Sequence, residues 1–258
     1  MKNFYRYAKL AVLPLLVMVP LSAQEAGSGL TKEQGDQILN ELRQIRQLLE
    51  KQAAGNAPKG PAEPLRAKLT LTSSEMLGNK DAPLTMVEFT DYQCPFCQRF
   101  HVTAFNELKK NYIDTGKVRF YSRDLPLDTL HPNAMRAAMS ARCAAEQGQF
   151  WKLRDLMGAS PDKLDMNSIM AEAAGLNMDT AAFKSCVESE KYKMAIQNDV
   201  LEAAKIGADG TPTFVIGRST TLGVDGEVLV GAQPYPAFDQ KLKQLEAGAG
   251  AQAPAAGK

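Results

Sequence analysis

Two cysteines stand a helical turn apart in Cys94-Pro95-Phe96-Cys97. The thiolate, not the thiol, is the nucleophile, and such a pair can form, break and exchange disulfides. Its context points the same way. The apolar, β-prone run Leu84–Phe89 leads into it, and Phe100, Ala104, Phe105 and Leu108 recur behind it at helical spacing. Pro95 suits a first helical turn, where its missing N–H costs nothing. Cys94 is therefore expected at a helix N-terminus and Cys97 one turn in, on the same face. The partial positive charge there lowers a thiol pKa, so Cys94 is expected as the exposed, attacking sulfur. Cys97 would resolve the mixed disulfide. Two other readings of the pair remain open. One is a structural disulfide in a turn. The other is a metal site, yet zinc takes four ligands and His101 is the only close candidate. No metal is therefore expected, save that paired thiols can hold a soft ion such as Cu(I).

The elements that position the pair follow from the pattern. Strand 84–90 and a helix over 95–112 precede a strand at Val118–Ser122, a β-α-β unit with parallel strands. Alternation puts Met86, Glu88 and Thr90 on one strand face and Val87 and Phe89 on the other. A buried Glu88 should have a raised pKa. A solvated strand face is the alternative. Further on, Gly210-Thr211-Pro212 opens the apolar run Thr213–Ile216, and on the residues alone it is an ordinary turn. Gly217 and Asp225-Gly226 read as turn signals of a hairpin formed by 213–216 and 227–230, and a closing helix is expected at Phe238–Leu245.

The stretch EFTDYQCPFC (88–97) resembles the active site of the DsbA-like thioredoxin-fold family of exported thiol–disulfide oxidoreductases. Glu88 stands where that family keeps a buried acid. Gly210-Thr211-Pro212 resembles its cis-proline loop, and the helical stretch with CAAEQGQFW (143–151) its inserted helical domain. The match runs over roughly residues 70–246. It implies an α/β thioredoxin-like fold with an inserted helical domain, preceded by an N-terminal helix. It also implies an enzyme in which Cys94 exchanges, Cys97 resolves and Glu88 handles the Cys97 proton. Thr211 and Pro212, with Pro95 and Phe96, would hold an extended substrate chain by β-augmentation. No dissociable cofactor is implied. The implied partners are exported proteins bearing thiols or disulfides and a membrane redox partner, and the implied place is a Gram-negative periplasm. Phe96 departs from the histidine of the best-known members, which speaks against strong oxidising power. Oxidase and isomerase remain open, as do a copper-binding role and a chaperone role.

The two remaining cysteines, Cys143 and Cys186, fall on expected helices. Four cysteines allow three pairings. A structural Cys143–Cys186 bridge is favoured in an exported protein, against buried free thiols or a second redox pair. His131 reads as a capping or surface histidine. Ser160-Pro161-Asp162 and Asp179-Thr180 read as helix starts.

Residues 1–23 carry Lys2, Arg6 and Lys9 ahead of a short apolar stretch and Leu21-Ser22-Ala23, a signal-peptide pattern. The whole chain has a formal charge of +1, and removing that leader leaves 27 basic against 29 acidic residues, a net −2. Neither balance suggests nucleic acid. Residues 24–52 are expected as a separate amphipathic helix, with Ile38, Leu42, Ile45 and Leu49 at a/d spacing. An isolated helix of this length is marginal in water, so its stripe needs a partner. That partner is either the main domain or the same helix in a homo-oligomer through 30–52. The segment 53–66 reads as a linker, 67–246 as the catalytic domain with its insertion at about 124–206, and 247–258 as a low-complexity tail.

Overall fold

The structure is a computed structural model and describes residues 30–55, 64–71 and 75–250. The expected leader at 1–23, most of the linker and positions 251–258 of the tail lie outside the described residues. The chain divides into two compact units, Met1–Ala62 and Glu63–Lys258.

In the first unit, α1 spans Lys32–Gly55. A reciprocal cap starts it. Gln34 N–H donates to Thr31 Oγ1 over 3.2 Å, and Thr31 N–H donates to Gln34 Oε1 over 3.0 Å. The helix takes in positions 53–55, which the sequence reading assigned to the linker. Ala53 and Ala54 are strong helix formers, and the glycine at 55 ends the run. The apolar stripe is exposed: Leu42 is 55% and Ile45 52% accessible.

The second unit is built on a six-stranded sheet. Its strands are β1 (Arg66–Thr70), β2 (Met76–Leu77), β3 (Leu84–Thr90), β4 (Val118–Asp124), β5 (Thr213–Ser219) and β6 (Gly223–Val230). The order is β1-β6-β5-β3-β4-β2. β3 and β4 are parallel, and the other pairs are antiparallel. All seven residues of β3 are buried, because helices cover both faces of the sheet. A helix over 95–113, here α2, alternates α and π turns and joins β3 to β4. Between β4 and β5 lie α3 (Ala134–Ala145), α4 (Phe150–Ala159), α5 (Met166–Gly175), α6 (Thr180–Glu188) and α7 (Lys193–Lys205). The chain continues into α8 (Tyr235–Gly250).

Three apolar clusters hold this unit. Met86, Phe100, Leu108, Phe214, Phe238 and Leu242 pack α2 and α8 on one sheet face. Val87, Phe89, Tyr121, Val215 and Ala203 fill the other. Leu153, Ile169, Phe183 and Ile196 form a separate core inside the helical insertion.

Several local expectations are corrected. β1 starts at Arg66, one residue before the expected domain boundary at 67. The helix start placed at Ser160-Pro161-Asp162 lies at Met166, where Asp165 accepts backbone N–H bonds from Asn167 and Ser168. Gly217 and Asp225-Gly226 do not turn; they sit inside β5 and β6, with Gly217 opposite Gly226. A Cβ on Gly217 would lie 2.0 Å from the Asp225 carbonyl oxygen, so these glycines mark a close backbone approach. The closing helix runs on to Gly250, into the segment read as a tail.

Candidate functional site

β3 delivers the chain to the cysteine pair, and local hydrogen bonds set the turn. Cys94 is the N-cap of α2, in extended backbone (φ −73°, ψ 122°), and Pro95 opens the helix. Cys94 N–H donates to the Asp91 carbonyl over 3.1 Å, and Gln98 N–H donates to the Cys94 carbonyl over 3.1 Å. Both cysteines are free thiols. The Thr211–Pro212 peptide is cis, and it brings the Thr211 carbonyl to 3.5 Å from Cys94 Sγ, which donates to it. Cys94 is only 3% exposed, which corrects the expectation of an exposed sulfur: the Thr211 backbone lies against it. Phe96, by contrast, is 53% exposed, with the Arg99 guanidinium 5.1 Å from its ring centre.

The two thiols are driven apart in acidity. A hydrogen bond from the Cys97 thiol, helped by Thr211 and by backbone N–H groups of the first turn, brings Cys94 down to about 5 against the opposing effect of burial. Cys97 is pushed well above the ordinary thiol range by burial, by the bond it gives to Cys94 and by the charge of Glu88. Asp91 N–H, 3.5 Å from Cys97 Sγ, favours its thiolate only weakly against these. The pair therefore combines one stabilised anion with one held proton.

Glu88 is fully buried, so the solvated-face alternative falls. Its pKa is lowered, not raised as the sequence reading expected. Burial opposes ionisation, but His101 and Arg154 outweigh it. Arg154 Nη2 donates to Glu88 Oε2 over 2.5 Å, and His101 Nε2 lies 3.0 Å from Glu88 Oε1. Arg154, itself buried, arrives from α4 and packs its guanidinium over Phe105, Phe120 and Trp151. A buried carboxylate is tolerable only with such partners. His101, noted in the sequence only as a metal candidate, is committed to hydrogen-bond contacts with Glu88 and Arg154. Arg154 gave no signal: nothing in FWKLRDLMGA separates it from the neighbouring Lys152.

A cavity of about 370 Å³ opens between α2 and α4, lined in part by Cys97, His101, Arg154, Asp155, Lys109 and Asp91. Asp91 is buried, and its carboxylate accepts from Gln93 N–H, Leu127 N–H and His131 Nδ1 at 2.8–2.9 Å. His131 is therefore neither a cap nor a surface group. Asn133 takes the N-cap position before α3, and the His131 side chain is tied to Asp91 with 19% of it exposed.

Cys143 and Cys186 lie away from this site. They form a disulfide between α3 and α6, with Cα atoms 5.9 Å apart. Among the described residues no group of three or more His, Cys, Asp or Glu could hold a metal ion, and no helix is long and apolar enough to cross a membrane.

Residues 70–226 match a family model described as Thioredoxin. The chain is 31% identical to a Bacillus anthracis protein named "Probable disulfide bond formation protein D" over 153 residues, 56% of this chain and 70% of that one. It is 35% identical over 139 residues to "Na(+)/H(+) antiporter NhaA 3" of Salinispora tropica, 54% of this chain but only 21% of that one. The chain thus spans about a fifth of the length of the antiporters it matches. Among solved structures, the alpha-DsbA1 of Wolbachia pipientis superposes with a TM-score of 0.63 at 28% identity, covering 70% of this chain and 94% of that one.

Proposed function

The chain belongs to the DsbA-like thioredoxin-fold family, and on that footing we propose that it is a thiol–disulfide oxidoreductase acting on exported proteins through Cys94 and Cys97. One observation carries this reading. The N-cap residue of a helix carries a thiol of lowered pKa within hydrogen-bond reach of the Thr211 carbonyl beside a cis-proline.

In the oxidised enzyme a substrate thiolate attacks Cys94 Sγ. A substrate–Cys94 bond forms, the Cys94–Cys97 bond breaks, and Cys97 departs as a thiolate that takes up a proton. A second substrate thiolate then forms the substrate's disulfide and expels Cys94, a good leaving group because its thiolate is stable. Glu88 governs the proton of Cys97. Thr211 pairs its backbone with an extended substrate chain next to Pro212, and Pro95 and Phe96 flank that chain. The Cys94–Cys97 disulfide itself takes up the two electrons that the substrate thiols give up, so no dissociable cofactor enters.

The leader pattern at 1–23 supports export to a periplasm, where a membrane redox partner resets the pair. The exposed stripe of α1 supports self-association through residues 30–52. Several sites presented to one misfolded chain favour isomerisation.

The test is isomerisation of a scrambled model substrate by the full mature chain, beside Cys94→Ser and the double variant Leu42→Asp with Ile45→Asp. Cys94→Ser is expected to lose all turnover, and retained turnover overturns the exchange reading. Isomerisation lost together with oligomer mass in the double variant assigns an oligomeric isomerase. Equal and poor isomerisation by both assigns the oxidase direction.

A further inference from the structure

Cys97 and His101 are four residues apart on one helix, and the His101 N–H donates to the Cys97 carbonyl as a regular α turn requires. Their side chains therefore share a face, and both line the cavity between α2 and α4. The imidazole is fixed from every side. Glu88 of β3 stands 3.0 Å from Nε2, and Phe100 and Phe105 of α2 pack edge-on with ring centres 5.0 Å away. From α4, Arg154 Nη1 lies 3.4 Å from Nδ1 and Nη2 2.8 Å from Nε2. With Nε2 protonated the ring donates to the carboxylate, against the Arg154 Nη2 contact, and Nδ1 is left as an acceptor met only by the long 3.4 Å contact from Arg154 Nη1. A carboxylate that orients an imidazole and stabilises its cation makes the imidazole a base.

We propose that His101 is the base that takes the proton of Cys97 when Cys97 attacks the Cys94–substrate disulfide, and that Glu88 is the carboxylate that orients it. This rests on the exchange function proposed above. The sulfhydryl proton passes to Nδ1, directly or through one water in the cavity. The Cys97 electron pair forms the bond to Cys94 Sγ, and the Cys94–substrate bond breaks. The substrate sulfur leaves as a thiolate and is protonated by solvent. Imidazolium then returns its proton through the cavity mouth.

Two features suit His101 better than Glu88 alone for accepting the proton. Glu88 has both carboxylate oxygens engaged at 3.0 Å or less, whereas His101 Nδ1 has only the 3.4 Å contact to Arg154, and the His101 side chain, 16% exposed, lines the cavity. Burial and Arg154 hold the imidazole below its ordinary range, against Glu88 and Asp155, so it is neutral and ready to accept near neutral pH. Lys109 and Asp91 are the other charges lining the cavity.

The experiment uses the reduced full chain and one equivalent of the aromatic disulfide 5,5′-dithiobis(2-nitrobenzoate). Cys94 takes one aromatic group and releases the first thiolate. Cys97 then displaces the second, and both releases are followed in single turnover from pH 5 to 9. His101→Gln is expected to slow the second release by about 100-fold near neutral pH, the usual worth of a general base. It should also abolish the low-pH limb of the profile. His101→Ala should recover part of the rate in added imidazole, and Glu88→Gln should move the limb to lower pH. A second release in His101→Gln with the wild-type rate and profile overturns the role. So does a slowed release that keeps the wild-type limb and does not respond to imidazole. A wild-type chain that never releases the second thiolate sinks the exchange reading itself, a distinguishable failure.

Discussion

Cys94 shows how a single atom is tuned without a histidine between the cysteines. The Cys97 thiol, the Thr211 side chain and the first turn of α2 all favour its thiolate. Its pKa is lowered to about 5, below that of an unfolded thiol. A depressed acid pKa stabilises the folded, reduced chain above the unfolded value, and that stability is lost as pH falls through the folded one. The disulfide form has no such thiol. The unfolding midpoint of the reduced chain, relative to the oxidised chain, should therefore climb from about pH 5 to about pH 9. A difference that stays flat over this window contradicts the stabilised thiolate. Phe96 leaves the same site with a large exposed ring in place of an imidazolium, and the lowered pKa does not need one.

The β5–β6 pair is the element that carries the cis-proline, because β5 begins one residue after it. Its two strands come close at Gly217 and Gly226, and backbone atoms occupy the space a Cβ would need at either position. Gly217→Ala must push the strands apart or break their ladder, an overpacking cost of roughly 1–3 kcal/mol or more. Thermal unfolding should show that loss, while Gly158→Ala, an exchange into open space on a helix, should be neutral to stabilising. Equal behaviour of the two variants would show that the close approach does not matter. The Cys143–Cys186 bond works at the same scale, closing 43 residues of the insertion and tying α3 to α6.

For the molecule as a whole, the question is how the helical insertion is registered on the sheet. One buried charge cluster does this beside the apolar contacts. Arg142 of α3 reaches Asp124 at the end of β4 over 2.7 Å, Asp199 of α7 over 2.6 Å and Glu75 over 3.2 Å. Arg123 of β4 also binds Asp199. Burial lifts Asp124 to about 6, with Asp199 adding to it and Arg142 opposing. A raised acid pKa has the opposite sign from Cys94: the fold favours the neutral carboxyl, and stability falls as pH rises from about 4 to about 6. Asp124→Asn should remove that fall, so that its stability relative to wild type improves across this interval in chemical denaturation. A constant difference across the interval would mean that Asp124 does not titrate there.

The sequence by itself determined the chemistry and the class of fold. Cys-Pro-Phe-Cys after an apolar strand and before a helical repeat is a local pattern, and local propensity places a thiol at a helix N-terminus. Period-2 and period-3.6 spacing likewise separated the strands around the site from the helical insertion. Only the tertiary structure decided the protonation logic. Arg154 stands 66 positions from Glu88, and their meeting depends on how α4 docks against the sheet, which no periodicity encodes. That contact reverses the direction expected for Glu88, because a buried acid is raised when alone and lowered when a guanidinium and an imidazole reach it. The burial of Cys94 under Thr211 depends in the same way on a contact across 117 positions. The glycines of β5 and β6 were misread because a turn and a close approach both select glycine, and only pairing across strands tells them apart.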